Sequence, residues 1–169
     1  MSAEDNKALV RRLIDQFFNQ QDLDLADELF ALDCPIHDPH CPDGMAGPGL
    51  VKALGQLYNT AFPDLHYNIQ DMICEDDKVV TRWRATGTNT SAIAMSETLT
   101  LPPTGKKLDI DGMTICRIKN GKIIDLWQNC DKLTAYQQVD AAFLVEDPGD
   151  FEEPGVLDDL DDLDAAQIH

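Results

Sequence analysis

The chain has 169 residues, 43 % of them hydrophobic, which predicts one folded body with a single substantial core. Its formal charge of −18 repels phosphate backbones and anionic lipid surfaces, so nucleic acid and membranes are disfavoured as partners. No apolar run is long enough to cross a bilayer, and the N-terminus lacks a charged-then-apolar leader pattern, so a cytoplasmic protein is expected. Five cysteines, an odd number without repeated spacing, read as reduced thiols rather than a disulfide framework.

In chain order, residues 4 to about 20 carry apolar positions at helical spacing: Leu9, Leu13 and Phe17, with Val10, Ile14 and Phe18 beside them. Ser2 followed by Asp5 reads as a capping box. A second helix is expected from Leu23 to Leu32, capped by Asp22. A third is expected from Pro48 to Ala61, its stripe supplied by Leu50, Leu54, Leu57 and Tyr58, with Pro63 ending it. The period then changes from helical to alternating. Leu65, Tyr67 and Ile69 alternate with polar residues, predicting a strand. Further strands are expected at 79–87, 107–118 and 122–130, the last two joined by an Asn120-Gly121 hairpin turn. The link between the strands at 79–87 and 107–118 could hold a short edge strand. Asp131 can cap a short final helix.

Helices followed by a run of antiparallel strands predict an α+β fold, three N-terminal helices packed on a curved sheet with a cavity between the layers. Residues 1–145 form the expected domain. From Glu146 onward every charged side chain is acidic, and ten of the surplus negative charges fall there. That 146–169 tail reads as a solubilising extension, or as a segment whose Leu157, Leu160 and Leu163 dock on a protein surface.

The stretches IHDP, GPGLVKAL, FPDL, RWRATGT, PPTGKK and RIKNGKI, then W-x-x-x-D, occur in that order. Together they resemble the SnoaL-like polyketide cyclases of the NTF2-like superfamily, over about residues 6 to 139. The resemblance implies a cone with an apolar cavity, dimerisation through the open sheet face, and chemistry on a small organic molecule without cofactor. It also implies an acid/base Asp on the last strand, assisted by a polar pair on the strand before. Aligned on Gly121-Lys122-Ile123, that Asp falls on Gln128 and the pair falls near Gly112 and Thr114. A small shift would bring in Asp131 instead.

CPIHDPHC, residues 34 to 41, looks at first like a metal site. His40 and Cys41 are adjacent, however, and neighbouring side chains of an extended segment diverge, so no metal is expected. His37 is the expected proton-transfer residue, since imidazole titrates near neutral pH, with Asp38 orienting it. Asp131 is the reserve acid. Tyr58, Trp83, Asn89, Thr114 and Gln128 are the expected substrate contacts, Trp83 favouring a flat ligand. Arg82, Arg84 and Arg117 are expected to pair with acidic neighbours on the outer sheet face. Three functions remain open: a cofactor-free acid/base enzyme acting on a carbonyl-containing or polycyclic substrate, a binding protein with the same cavity, and an interaction module working through the acidic tail.

Overall fold

The computed structural model describes residues 2–39, 44, 46–94 and 100–140. The acidic tail, His40 and Cys41 lie outside these residues.

α1 spans Ala3–Arg12. Its capping box is formed: Ser2 Oγ accepts from the Asp5 amide at 3.1 Å, and the Ser2 amide donates to Asp5 Oδ2 at 2.8 Å. The expected single helix changes character midway, since Leu13–Asn19 winds as a wider π-helix. The combined segment buries Leu9, Val10, Leu13, Ile14 and Phe17.

α2 is shorter than expected, Leu25–Leu29, with Asp24 rather than Asp22 at its N-cap. It ends because Phe30 turns extended and bridges to Ile123. Lys122 Nζ then donates to the carbonyls of Asp27, Glu28 and Phe30 at 3.1, 3.0 and 3.2 Å, answering acceptors that a helix end leaves unpaired. α3 spans Gly47–Ala61 with Pro48 in its first turn. α4 spans Lys132–Gln138.

Five strands make the main sheet, in the order β1-β7-β6-β3-β2. They are β1 Ile36–His37, β2 His66–Glu75, β3 Lys78–Thr88, β6 Lys107–Lys119 and β7 Lys122–Cys130. β1 runs parallel to β7, and the other neighbours are antiparallel. Asn120 and Gly121, with φ of 53° and 75°, make the turn between β6 and β7. The link after β3 holds the short pair β4 Ile93–Ala94 and β5 Thr100–Leu101. Register breaks at Ile69/Asp71 and Arg117/Ile118 bend the sheet around the helices.

Strand alternation divides the sheet into two faces. Val79, Thr81, Trp83 and Ala85 of β3 are buried, whereas Arg82, Arg84 and Thr86 are exposed. The inward side chains form two apolar clusters. One gathers the first helical segments over Val79, Cys116 and Leu126. The other gathers Ala61, Phe62 and Leu65 over Trp83, Ala85 and Leu108. Between the two, the register aligns Thr81, Thr114 and Gln128 as a polar row.

Candidate active site

The inward face around that polar row holds one candidate site. Trp83 is 3 % exposed and lies flat across Gly112, where a Cβ would sit 2.3 Å from the indole ring. The ring therefore requires glycine beneath it. Its Nε1 donates to Thr114 Oγ1 at 2.9 Å, and Tyr67 packs edge-on against it with centroids 5.1 Å apart. Buried Thr81 Oγ1 has no hydrogen-bond partner among the described residues. Thr114 and Gln128 are cross-strand neighbours on this side.

Tyr58, in the last turns of α3, comes to the same region. Lys132 Nζ donates to the Tyr58 hydroxyl at 2.7 Å and lies 5.1 Å from the ring centroid. Burial holds the Tyr58 phenol above its ordinary pKa, although Lys132 opposes this, so the hydroxyl is protonated at neutral pH. Asp38 raises the phenol further through its charge. Burial also raises the Cys130 thiol nearby. No thiolate nucleophile is present there at neutral pH.

His37 belongs to the other face. It pairs with Trp127 across β1 and β7, and the two rings stack at 4.9 Å. Asp125, not Asp38, holds the imidazole, with Nε2 and Oδ1 at 2.8 Å. Arg117 approaches the same carboxylate at 3.7 Å and lies 5.7 Å from the Trp127 ring centre. A groove of about 640 Å³ runs over Met113, Ile115 and Trp127, bordered by residues 35–39, Gly44 and Ala46, and Gln128 also lines it. His37 and Asp38 both line that groove, but Asp38 also acts electrostatically on Tyr58 and Lys132.

Two expected site residues have structural work. Asn89 is buried and ties down the link after β3. Its Oδ1 accepts from the Thr104 amide at 2.8 Å, and its Nδ2 donates to the Ser91 carbonyl at 2.9 Å. Asp131 caps α4, accepting from the Thr134 amide at 2.9 Å and the Thr134 hydroxyl at 2.6 Å. These bonds hold its carboxyl below the usual range. Cys34 and His37 diverge as well. Cys34 is fully buried with its thiol pushed up to about 12 by burial, while His37 stands half-exposed on the outer face. Arg82 pairs with Asp71, Arg84 with Asp109, and Arg117 with Asp77 and Asp125.

Sequence reasoning missed Asp125 and Lys132. Asp125 has a usable signal: it precedes Trp127 by two positions and so shares its face. Lys132 has none, because a lysine after a helix cap is ordinary.

The SnoaL-like polyketide cyclase family description matches residues 8–139. The chain belongs to that family. No curated protein matches it. Family members of known structure include a candidate SnoaL-like polyketide cyclase from Jannaschia sp. CCS1, 23 % identical, with a TM-score of 0.72. That match covers 82 % of this chain and 94 % of the other. A candidate polyketide cyclase from Acidithiobacillus ferrooxidans is 26 % identical over 84 % of this chain and 99 % of its own, with a TM-score of 0.69. IdmH, a candidate polyketide cyclase from Streptomyces antibioticus, is 26 % identical over 80 % and 98 %, with a TM-score of 0.66. The α+β architecture is thus the SnoaL-like form of the NTF2-like fold, and family membership points to a small-molecule ligand. Among the described residues, no helix is long and apolar enough to cross a membrane.

Proposed function

We propose that the chain is a SnoaL-like small-molecule enzyme using cofactor-free general acid/base chemistry on a carbonyl-containing, flat or polycyclic substrate. The observation that carries this reading is the inward polar row of Thr114 and Gln128 beside the Trp83 ring, with the Asp38 charge acting on Tyr58 and Lys132. A flat apolar wall beside a few hydrogen-bonding groups suits a polycyclic ligand. Asp38 takes the acidic C–H proton, and Gln128 and Thr114 orient the carbonyl. His37, across the sheet, serves the outer groove.

A non-catalytic binding protein is the second reading. Gln128, standing where the resemblance implies an acid/base Asp, favours it, because an amide cannot exchange protons near neutral pH.

Deuterium exchange of the acidic C–H protons of a polycyclic 1,3-diketone, followed by NMR, separates the two. An enzyme accelerates exchange, and Asp38→Asn lowers the rate by about 100-fold or more. Binding without accelerated exchange selects the carrier. Location is tested separately in Trp127→Phe, which leaves Trp83 as the only tryptophan. Quenching of its emission by an anthraquinone supports the inward site, whereas loss of the quench moves the ligand to the outer groove.

The outer face also supports homodimerisation. The register aligns Ile73, Val80, Ile115 and Trp127 across the sheet, and Ile73 is 65 % exposed. Light scattering is expected to give a dimer, and Ile73→Lys a monomer.

A further inference from the structure

Lys132 carries a charge that the proposed chemistry has not used. A half-buried ammonium is costly unless paired. Its hydrogen bond goes to a neutral phenol at 2.7 Å rather than to a carboxylate. The salt-bridged lysines of the chain contrast with it: Lys52, for example, meets Asp24 and Asp27 at 3.0 and 2.7 Å. An ammonium has three donors and a phenol has one donor besides its acceptor oxygen. Lys132 donates to the Tyr58 oxygen, so the Tyr58 O–H points its proton elsewhere.

Burial works against the ammonium, while the hydrogen bond to Tyr58 and the Asp38 carboxylate favour it, and the Lys132 pKa lies above its ordinary value. The titratable groups acting on the pair are Asp38, Cys130 and Tyr67. A positive charge behind a protonated phenol, beside the apolar cluster of Trp83 and Tyr67, is an arrangement that stabilises an oxyanion.

We propose that Lys132 and Tyr58 form an oxyanion site for an enolate or phenolate oxygen of the ligand. The proposal rests on the helix-side reading given above. In the reaction, the C–H bond breaks and its proton passes to the Asp38 carboxylate. The C–H electron pair becomes the enolate double bond as the carbonyl π pair moves onto oxygen. Tyr58 O–H donates a hydrogen bond to that oxygen, and Lys132 polarises the phenol from behind. Nothing is oxidised or reduced. The pair thereby supplies, from two helices, the charge stabilisation that a glutamine on β7 does not.

The test uses the full chain and 2-hydroxyanthraquinone, a flat phenol whose anion absorbs at longer wavelength. Bound to the unaltered protein, the probe is expected to ionise about one pH unit or more below its free value, a tenfold stabilisation of the anion. Lys132→Met is expected to abolish that shift while affinity for the neutral probe stays within about threefold, the charge being absent from that complex. Lys132→Arg is expected to keep most of it. A bound probe that titrates like the free one while still quenching Trp83 overturns the oxyanion site and leaves the cavity reading standing. A shift that survives in Lys132→Met also overturns it. Failure of either form of the probe to bind overturns the cavity reading and the oxyanion site together. The unaltered protein decides the matter even where Lys132→Met does not fold.

Discussion

The two faces of the central strands share one backbone and have different chemistry. Gly112 and Met113 are neighbours on β6. Gly112 is buried beneath Trp83, and Met113 is 57 % exposed on the groove side. On the inward face, polar atoms are few: Trp83 Nε1 finds Thr114, while Thr81 Oγ1 has no hydrogen-bond partner among the described residues. On the outward face, charges pair across strands, as Arg82 does with Asp71, and an apolar row separates the charged ones. Water decides the difference. An outward ion pair is solvated and contributes little, while an inward hydroxyl or ammonium must find a partner or bind something. Function is therefore sought on the inward face, even though the more conspicuous residue, His37, lies outward.

That contrast can be tested by substitution, beginning with its strongest form. Trp83→Ala is expected to cost about 3–5 kcal/mol in urea denaturation, because it empties a buried aromatic volume and orphans Thr114. Gly112→Ala is expected to cost about 1–3 kcal/mol, since its Cβ drives into the indole ring, and to shift Trp83 emission. A neutral result at Gly112 would show that the ring slides freely and that the flat wall is not preformed.

Asp131→Ala follows. Removing the cap is expected to lower Tm and loosen α4, which carries Lys132. The Asp131 carboxyl titrates below its ordinary value in the folded chain. Its stabilisation is thus present above the unfolded pKa and is lost as pH falls through the folded one. The Tm gap between Asp131→Ala and the unaltered protein should be open at neutral pH and close in acid. A gap that persists in acid would point to packing instead of the cap.

His37→Ala is expected to change stability by under about 1 kcal/mol, as for other exposed ion pairs. It should leave C–H exchange unchanged if the inward site is the working one. Met113→Ala is the smallest, within about 0.5 kcal/mol. A further loss for Met113→Ala that depends on protein concentration would report the second copy proposed for this face, whose Ile115 and Trp127 border Met113.

Much of the fold was legible because periodicity and turn chemistry are local. The capping box at Ser2, the Asn120-Gly121 turn, and β7 with both of its ends followed from residue type and spacing. α2 was overestimated because its end is set from outside, by Phe30 bridging to Ile123 and Lys122 reaching its carbonyls. The π-helical stretch was invisible because an apolar stripe leaves the winding of the turns open. At the site, the sequence marked Tyr58, Trp83, Asn89, Thr114 and Gln128 as candidate ligand contacts without deciding the face of each, and the strand register places Trp83, Thr114 and Gln128 inward. Asp131 reads in the sequence as both a helix cap and a reserve acid, and its bonds to Thr134 fill the first role, while Asn89 is bonded within the link after β3.

The sequence by itself determined the element order, the alternation along the strands, and the family, since these depend on neighbours within a few residues. The tertiary structure alone decided that His37 meets Asp125 instead of Asp38, and that Lys132 of α4 meets Tyr58 of α3, 74 positions away. Such pairings depend on which strands lie side by side and how the helices cross them. No local pattern of residue types encodes the distance between side chains so far apart in the chain.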